Sequence, residues 1–280
     1  MMKPIKALLP YISWLSIDVV LGAMAGMLFF SQLLHVQLGW EIYALLGLCV
    51  WVIYTADHLL DSRKKVQIDL SPRHQFHARN QNTLVFSLAL ATLLGLLGAI
   101  WVLGWTRELL WSLVLAGAIG GSMTLIRLGG NAGNGLKELS TAVFYVLGIA
   151  WIPLLRADAL DRDWRLGAFL LVFTLLAFLN LLMLSWMDRK KDEIAGFPSA
   201  AQLFQPTQLL DWIRRLALLL IIASLALFIA LPSFFRMYSC ILLIMVILHF
   251  LIFFNKNLNE NQIRSRMEAV FLLPWILLIF

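Results

Sequence analysis

An all-α polytopic membrane bundle is the fold class that this sequence predicts, and three observations predict it. Hydrophobic residues make up 61% of the 280-residue chain, and the mean hydropathy is +0.84. Charged residues are 14%, roughly half the share of a soluble domain. The apolar residues fall in runs long enough to cross a hydrocarbon layer, which takes ~17–25 residues of helix. Because lipid offers no partner for backbone N–H and C=O groups, such runs must satisfy their hydrogen bonds internally, as helices do.

Nine runs qualify, at residues 10–34, 38–60, 82–104, 107–126, 139–155, 165–187, 207–231, 236–254 and 265–280, so residues 1–280 read as a single transmembrane domain of nine helices. The first run is too long for a signal-peptide core and lacks an Ala-x-Ala-like exit, so it is expected to remain as a membrane helix. Gly104, Trp105 and Thr106 alone divide the third run from the fourth, a tight turn between antiparallel neighbours. The last run is the shortest and contains Pro274, so it spans by tilting or reaches only part way. Cys49 and Cys240 lie inside apolar runs and suggest neither a disulfide nor a metal cluster.

Charge sets the expected orientation. Most of the 22 basic residues fall at the start (Lys3, Lys6) or in alternate connections, as Arg63, Lys64, Lys65, Arg73 and Arg79, then Arg127 and Lys137, then Arg189 to Lys191 with Arg214 and Arg215, then Lys256, Arg264 and Arg266. The other connections hold only Arg107, Arg156, Arg162, Arg165 and Arg236. The positive-inside rule places the basic loops and the N-terminus in the cytoplasm and the C-terminus outside, in a cell membrane. This pattern also accounts for the net charge of +6 without nucleic acid as a partner.

Two Asp-x-x-x-Asp steps then stand out, Asp57/Asp61 at the end of the second run and Asp188/Asp192 at the end of the sixth, each followed by basic residues. On a helix, each pair is about 6 Å apart along one face. Paired carboxylates at a membrane surface are costly unless compensated, and they suit Mg²⁺, a hard cation that takes a few protein oxygens and leaves other positions to water or phosphate. If the bundle brings the second and sixth helices together, four carboxylates converge on one cytoplasmic cavity mouth. Arg63 and Arg73 are the preferred phosphate donors, because a guanidinium binds phosphate oxygens with two parallel bonds. Lys137, after the glycine-rich stretch 129–135, is a third candidate. Tyr54, Asn180 and Ser185 are candidate cavity-lining groups, and Asn180 lies two turns before Asp188 on approximately one face.

Plainer readings stand beside these. Acidic residues next to Arg and Lys at helix ends also serve as interfacial anchors, and intramembrane Asn, Ser, Thr and Tyr commonly bond one helix to another. The glycine-rich stretch lacks the phosphate-loop signature and a preceding strand. His58, His74 and His77 lack a well-spaced partner set for zinc. Asp18 and His249 sit within apolar runs and are expected to face the bundle interior.

The segments Tyr54-Thr-Ala-Asp57-His-Leu-Leu-Asp61-Ser-Arg63, Arg73-His-Gln-Phe-His77, Lys137-Glu138 with Gly148 and Pro153, and Asn180 through Ser185-Trp-Met-Asp188-Arg-Lys-Lys-Asp192 together resemble the UbiA-type intramembrane prenyltransferase superfamily. The resemblance implies nine transmembrane helices and two aspartate-rich motifs that use Mg²⁺ to bind and ionise an isoprenyl diphosphate. It also implies transfer of the prenyl group to a lipophilic acceptor within the membrane. Asp57 and Asp61 match the last two acidic positions of the first motif, and Asp188 and Asp192 those of the second; all four would be catalytic and metal-binding. Lys137 matches the lysine that contacts diphosphate, and Arg73 falls near the first-loop arginine. Two positions depart from the pattern, since Ile53 stands where Asn is usual and Leu184 where a third Asp is common. The departures admit a prenyltransferase with more metal-bound water, a terpenoid cyclase, or a non-enzymatic binder of a lipid diphosphate. A transporter is the alternative from another class. It is disfavoured because the strong charges gather on one side; a phosphatidyl-type transferase, which would also use intramembrane carboxylates and metal, is disfavoured because its signature is absent.

Overall fold

The computed structural model describes residues 14–64, 76–77, 79–128, 136–158, 163–195 and 205–279, excluding the side chains of 61–64, 127–128, 136 and 190–195. Nine α-helices and one long 3-10 helix organise the described residues: α1 (Ile17–Leu33), α2 (Trp40–Lys64), α3 (Gln81–Leu103), α4 (Arg107–Leu128), α5 (Leu136–Arg156), α6 (Trp164–Ala195), α7 (Pro206–Ala230), α8 (Ser233–Phe253), α9 (Glu260–Val270) and the 3-10 segment Leu273–Ile279. Seven of them, α2 to α8, are long and apolar enough to cross a membrane. Their outer faces carry large apolar side chains such as Phe86, Trp101, Leu171 and Ile222, all more than half exposed. A surface of this kind is stable against lipid and would be an aggregation liability in water.

Two of the nine expected spans differ. Residues 10–13 of the run 10–34 lie outside the described residues; the rest holds α1, which has 17 residues and begins after Ser16, whose φ of 56° is outside the helical region. The helix ends in a Schellman-type turn, with His35 left-handed (φ 55°) and the Val36 N–H donating to the Ser31 carbonyl at 2.8 Å. The run 265–280 is not a continuous span. It divides into α9, eleven residues long, and the 3-10 segment. Pro274 has no N–H and disfavours α conformation at Leu273, so the α9 ladder stops at Val270.

The chain divides into two compact units. Unit 1 holds residues 1–24 and 38–110, and α2 packs against α3 within it. Gly104 closes the α3–α4 turn at φ 63°, a conformation that L side chains rarely adopt. Unit 2 holds residues 25–37 and 111–280. In it α6 packs against α5, α7, α8 and α9, and α8 packs against α7, α9 and the 3-10 segment. Its core is aromatic: Phe29 is fully buried with the rings of Phe30, Phe169, Phe173 and Tyr238 at 5.3, 6.1, 5.5 and 5.5 Å. Gly26 of α1 lies close against Ile149 of α5, where a Cβ would stand 2.6 Å from Ile149 Cδ1.

Candidate functional site

Both aspartate steps lie in unbroken helix. α2 runs through Asp57 and Asp61 to Lys64, and its apolar span ends at Leu60. α6 runs through Asp188 and Asp192 to Ala195, and its apolar span ends at Arg189. Each step therefore straddles the point where a helix leaves its apolar stretch, with the first carboxylate in the last turn of the span and the second beyond it. The side chains of Asp61, Asp192 and Arg63 lie outside the described residues, as does Arg73 altogether. The first step belongs to unit 1 and the second to unit 2, and each has its own surroundings.

In unit 1, Asp57 is half-buried, with Tyr54 half-buried and Thr55 buried on the preceding turn. His58 meets the Tyr54 ring at 6.4 Å and the His77 ring at 5.2 Å. Phe76 in turn packs on Trp14 at 5.6 Å. Aromatic packing therefore brings together two of the three histidines weighed for zinc, and the third, His74, lies outside the described residues. Among the described residues, no group of three or more His, Cys, Asp or Glu side chains is placed to hold a metal ion.

In unit 2 the second step meets a partner that sequence reasoning missed. Asp188 Oδ2 accepts a hydrogen bond from Arg264 Nη2 of α9 in an ion pair, both side chains 28% exposed. Trp186, on the same turn of α6, packs on Phe253 at the end of α8 at 5.5 Å. These contacts put the C-terminal ends of α6 and α8 and the first turns of α9 at one end of the unit. α5 and α6 are consecutive, packed and antiparallel, so Lys137 and Asp188 return to the same end, about 29 Å and 36 Å along their helices from the connecting turn. Lys137 itself is half-buried in the first turn of α5. Ser185 is buried, as is Asn180, whose Oδ1 has no hydrogen-bond partner among the described residues.

The sequence did carry a signal for α9. Asn259 and Gln262 form a capping box, in which Asn259 Oδ1 accepts from the Gln262 N–H at 2.9 Å and Gln262 Oε1 accepts from the Asn259 N–H at 3.1 Å. Asn-x-x-Gln before an apolar segment marks a helix start, and it places Arg264 on the second turn. From there the chain turns inward. Phe271 lies 5.2 Å from His249, 6.0 Å from Tyr145 and 6.4 Å from Phe173. His249 is fully buried, and its Nδ1 donates to the Met245 carbonyl at 2.8 Å.

A depression of about 310 Å³ lies against Gln208, Asp211, Trp212 and Arg215. All four belong to the first turns of α7, and none is a sequence-predicted site residue.

Fold and surface together define a polytopic α-helical membrane protein. The chain matches no protein-family model, no curated protein and no solved structure.

Proposed function

We propose that this protein is a Mg²⁺-dependent intramembrane prenyltransferase of the UbiA type. It takes an isoprenyl diphosphate and a lipophilic acceptor from the bilayer. One observation carries the reading: two one-turn aspartate steps, each on a continuous helix at the point where that helix leaves its apolar span. Carboxylates at that depth are costly unless compensated; Arg264 offsets Asp188, and a divalent cation is the compensation we propose for a device used twice.

The donor set suits the metal. Asp57, Asp61, Asp188 and Asp192 offer hard oxygen ligands of the kind Mg²⁺ takes while keeping several waters. When bound, Mg²⁺ would neutralise charge on the diphosphate as it leaves. The chain's own residues do the rest. Lys137, at the entrance to α5, donates to phosphate oxygens as a compact point charge, and Arg63 and Arg73 donate as planar forks. Tyr54, Asn180 and Ser185 line the path of the prenyl chain, and the buried amide oxygen of Asn180 accepts a hydrogen bond from a polar group entering there. The basic ends face the cytoplasm, as the loop charges require.

The decisive test incubates purified protein with Mg²⁺, geranylgeranyl diphosphate and host membrane extract, and reads the lipid phase by mass spectrometry. A new mass heavier by one prenyl unit names both reaction and acceptor. A rearranged hydrocarbon with no acceptor mass identifies a cyclase instead, and no Mg²⁺-dependent product ends the enzymatic reading.

A further inference from the structure

Two polar atoms deep inside unit 2, Asn180 Oδ1 on α6 and His249 Nε2 on α8, have no hydrogen-bond partner among the described residues. Asn180 is 9% exposed and His249 0%. An acceptor buried without a partner is costly, and nearly all such groups in native proteins are satisfied.

Packing places the two groups together. α6 and α8 run parallel and in step, since Phe169 meets Phe235 at 6.0 Å and Trp186 meets Phe253 at 5.5 Å. His249 precedes Phe253 by four residues and Asn180 precedes Trp186 by six, so they stand within about 3 Å of one level along the helices. Their faces agree as well. Asn180 lies two turns after Phe173 on the same face of α6, and one ring, Phe271, packs on both Phe173 at 6.4 Å and His249 at 5.2 Å.

The chemistry of the two atoms narrows what they can bind. The Met245 carbonyl only accepts, so its 2.8 Å bond puts the proton on His249 Nδ1 and leaves Nε2 of the neutral ring a bare lone pair. Asn180 Oδ1 is an acceptor too. Two acceptors cannot satisfy each other and repel an anion; an O–H or N–H donor satisfies either. The surrounding walls are aromatic, with Phe271 packed on Tyr145 at 6.0 Å as well as on Phe173, so the rest of a molecule held there must be apolar. Gly148 stands one turn beyond Tyr145 on α5, and a Cβ added to it would meet nothing within 4 Å, which leaves room beside that wall.

We infer that His249 and Asn180 form a positioning site inside unit 2 for a lipophilic molecule that carries an O–H or N–H donor. Asn180 lies about 12 Å along α6 from Asp188, so the donor is a handle remote from the aspartate step and not the reacting group. The identity of that molecule as the prenyl acceptor rests on the prenyltransferase reading; the site itself does not.

The test is equilibrium binding to the full-length protein in detergent micelles, corrected for partition into empty micelles, with 2-naphthol and 2-methoxynaphthalene as probes. The ether keeps the ring and the oxygen but has no donor. Wild type is expected to bind 2-naphthol about tenfold more tightly than the ether, as one buried hydrogen bond provides. In protein labelled with ¹⁵N-histidine, the Nε2 resonance that His249→Phe removes should shift with 2-naphthol and stay in place with the ether. His249→Phe and Asn180→Leu each delete an acceptor at nearly constant volume, and each should cut the 2-naphthol preference to about threefold or less while the ether's affinity holds within about twofold. Neither should lower the unfolding midpoint, because an orphaned polar group has been removed. A merely structural role would weaken both probes together. Equal binding of the two probes by wild type, a preference undiminished in both variants, or parallel loss of both probes would each overturn the site. Should His249→Phe fail to fold, Asn180→Leu and the wild-type preference decide. Formation of a Mg²⁺-dependent prenylated product is a separate readout: a 2-naphthol preference without that product keeps the site and ends the transferase reading, and the product without the preference does the reverse.

Discussion

Asp188 and Arg264 form the most informative pair to perturb, because their contact ties the aspartate step of α6 to the C-terminal segment by charge. Removing one partner of a fully buried pair costs about 3–5 kcal/mol, whereas an exposed pair is worth about 0–1 kcal/mol. With both side chains 28% exposed, the pair lies between these limits. Asp188→Asn and Arg264→Gln should therefore each destabilise by about 1–3 kcal/mol. The double variant should cost clearly less than the sum, giving a coupling energy of about 1–2 kcal/mol. Unfolding of the four proteins in mixed micelles, titrated with sodium dodecyl sulfate and followed by circular dichroism, supplies the cycle. A coupling energy below about 0.3 kcal/mol would mean that the contact is not made, and the placement of α9 against α6 would fall with it.

Packing in unit 2 makes a second prediction. Phe29→Ala removes a fully buried ring from among four others and should cost about 3–5 kcal/mol, chiefly as a cavity because the apolar transfer term is small in lipid. Phe86→Ala, at a site 71% exposed on α3, should stay within about 0.5 kcal/mol in the same titration. Asn259→Ala removes the α9 capping box and should cost about 1 kcal/mol, with faster amide hydrogen exchange confined to residues 260–270. Lys137→Glu should weaken binding of the diphosphate analogue by more than about tenfold while leaving the unfolding midpoint within error, since the side chain is half-buried at a helix entrance and not in the core. An unaltered analogue titration would remove Lys137 from the site.

Much of this architecture was written in local chemistry. Each apolar run had to become a helix because nothing else satisfies its backbone in lipid, so α2 through α8 follow from run length and loop position. The one-turn spacing of Asp57 with Asp61 and of Asp188 with Asp192 follows from those helices without any knowledge of their neighbours. Even the break before Pro274 has a local cause in the missing N–H.

What the helices turn toward was another matter. In a water-soluble protein, polar residues mark the outer face of each helix, but here lipid and core are equally apolar, so sequence period gives no direction. Only the tertiary structure brought Arg264 to Asp188, His77 to His58, and Phe271 to His249. Only it replaced the final expected span with a capped helix and an inward-packed 3-10 segment. These pairings join residues far apart in the chain through shape and charge, and neither depends on how the residues are spaced.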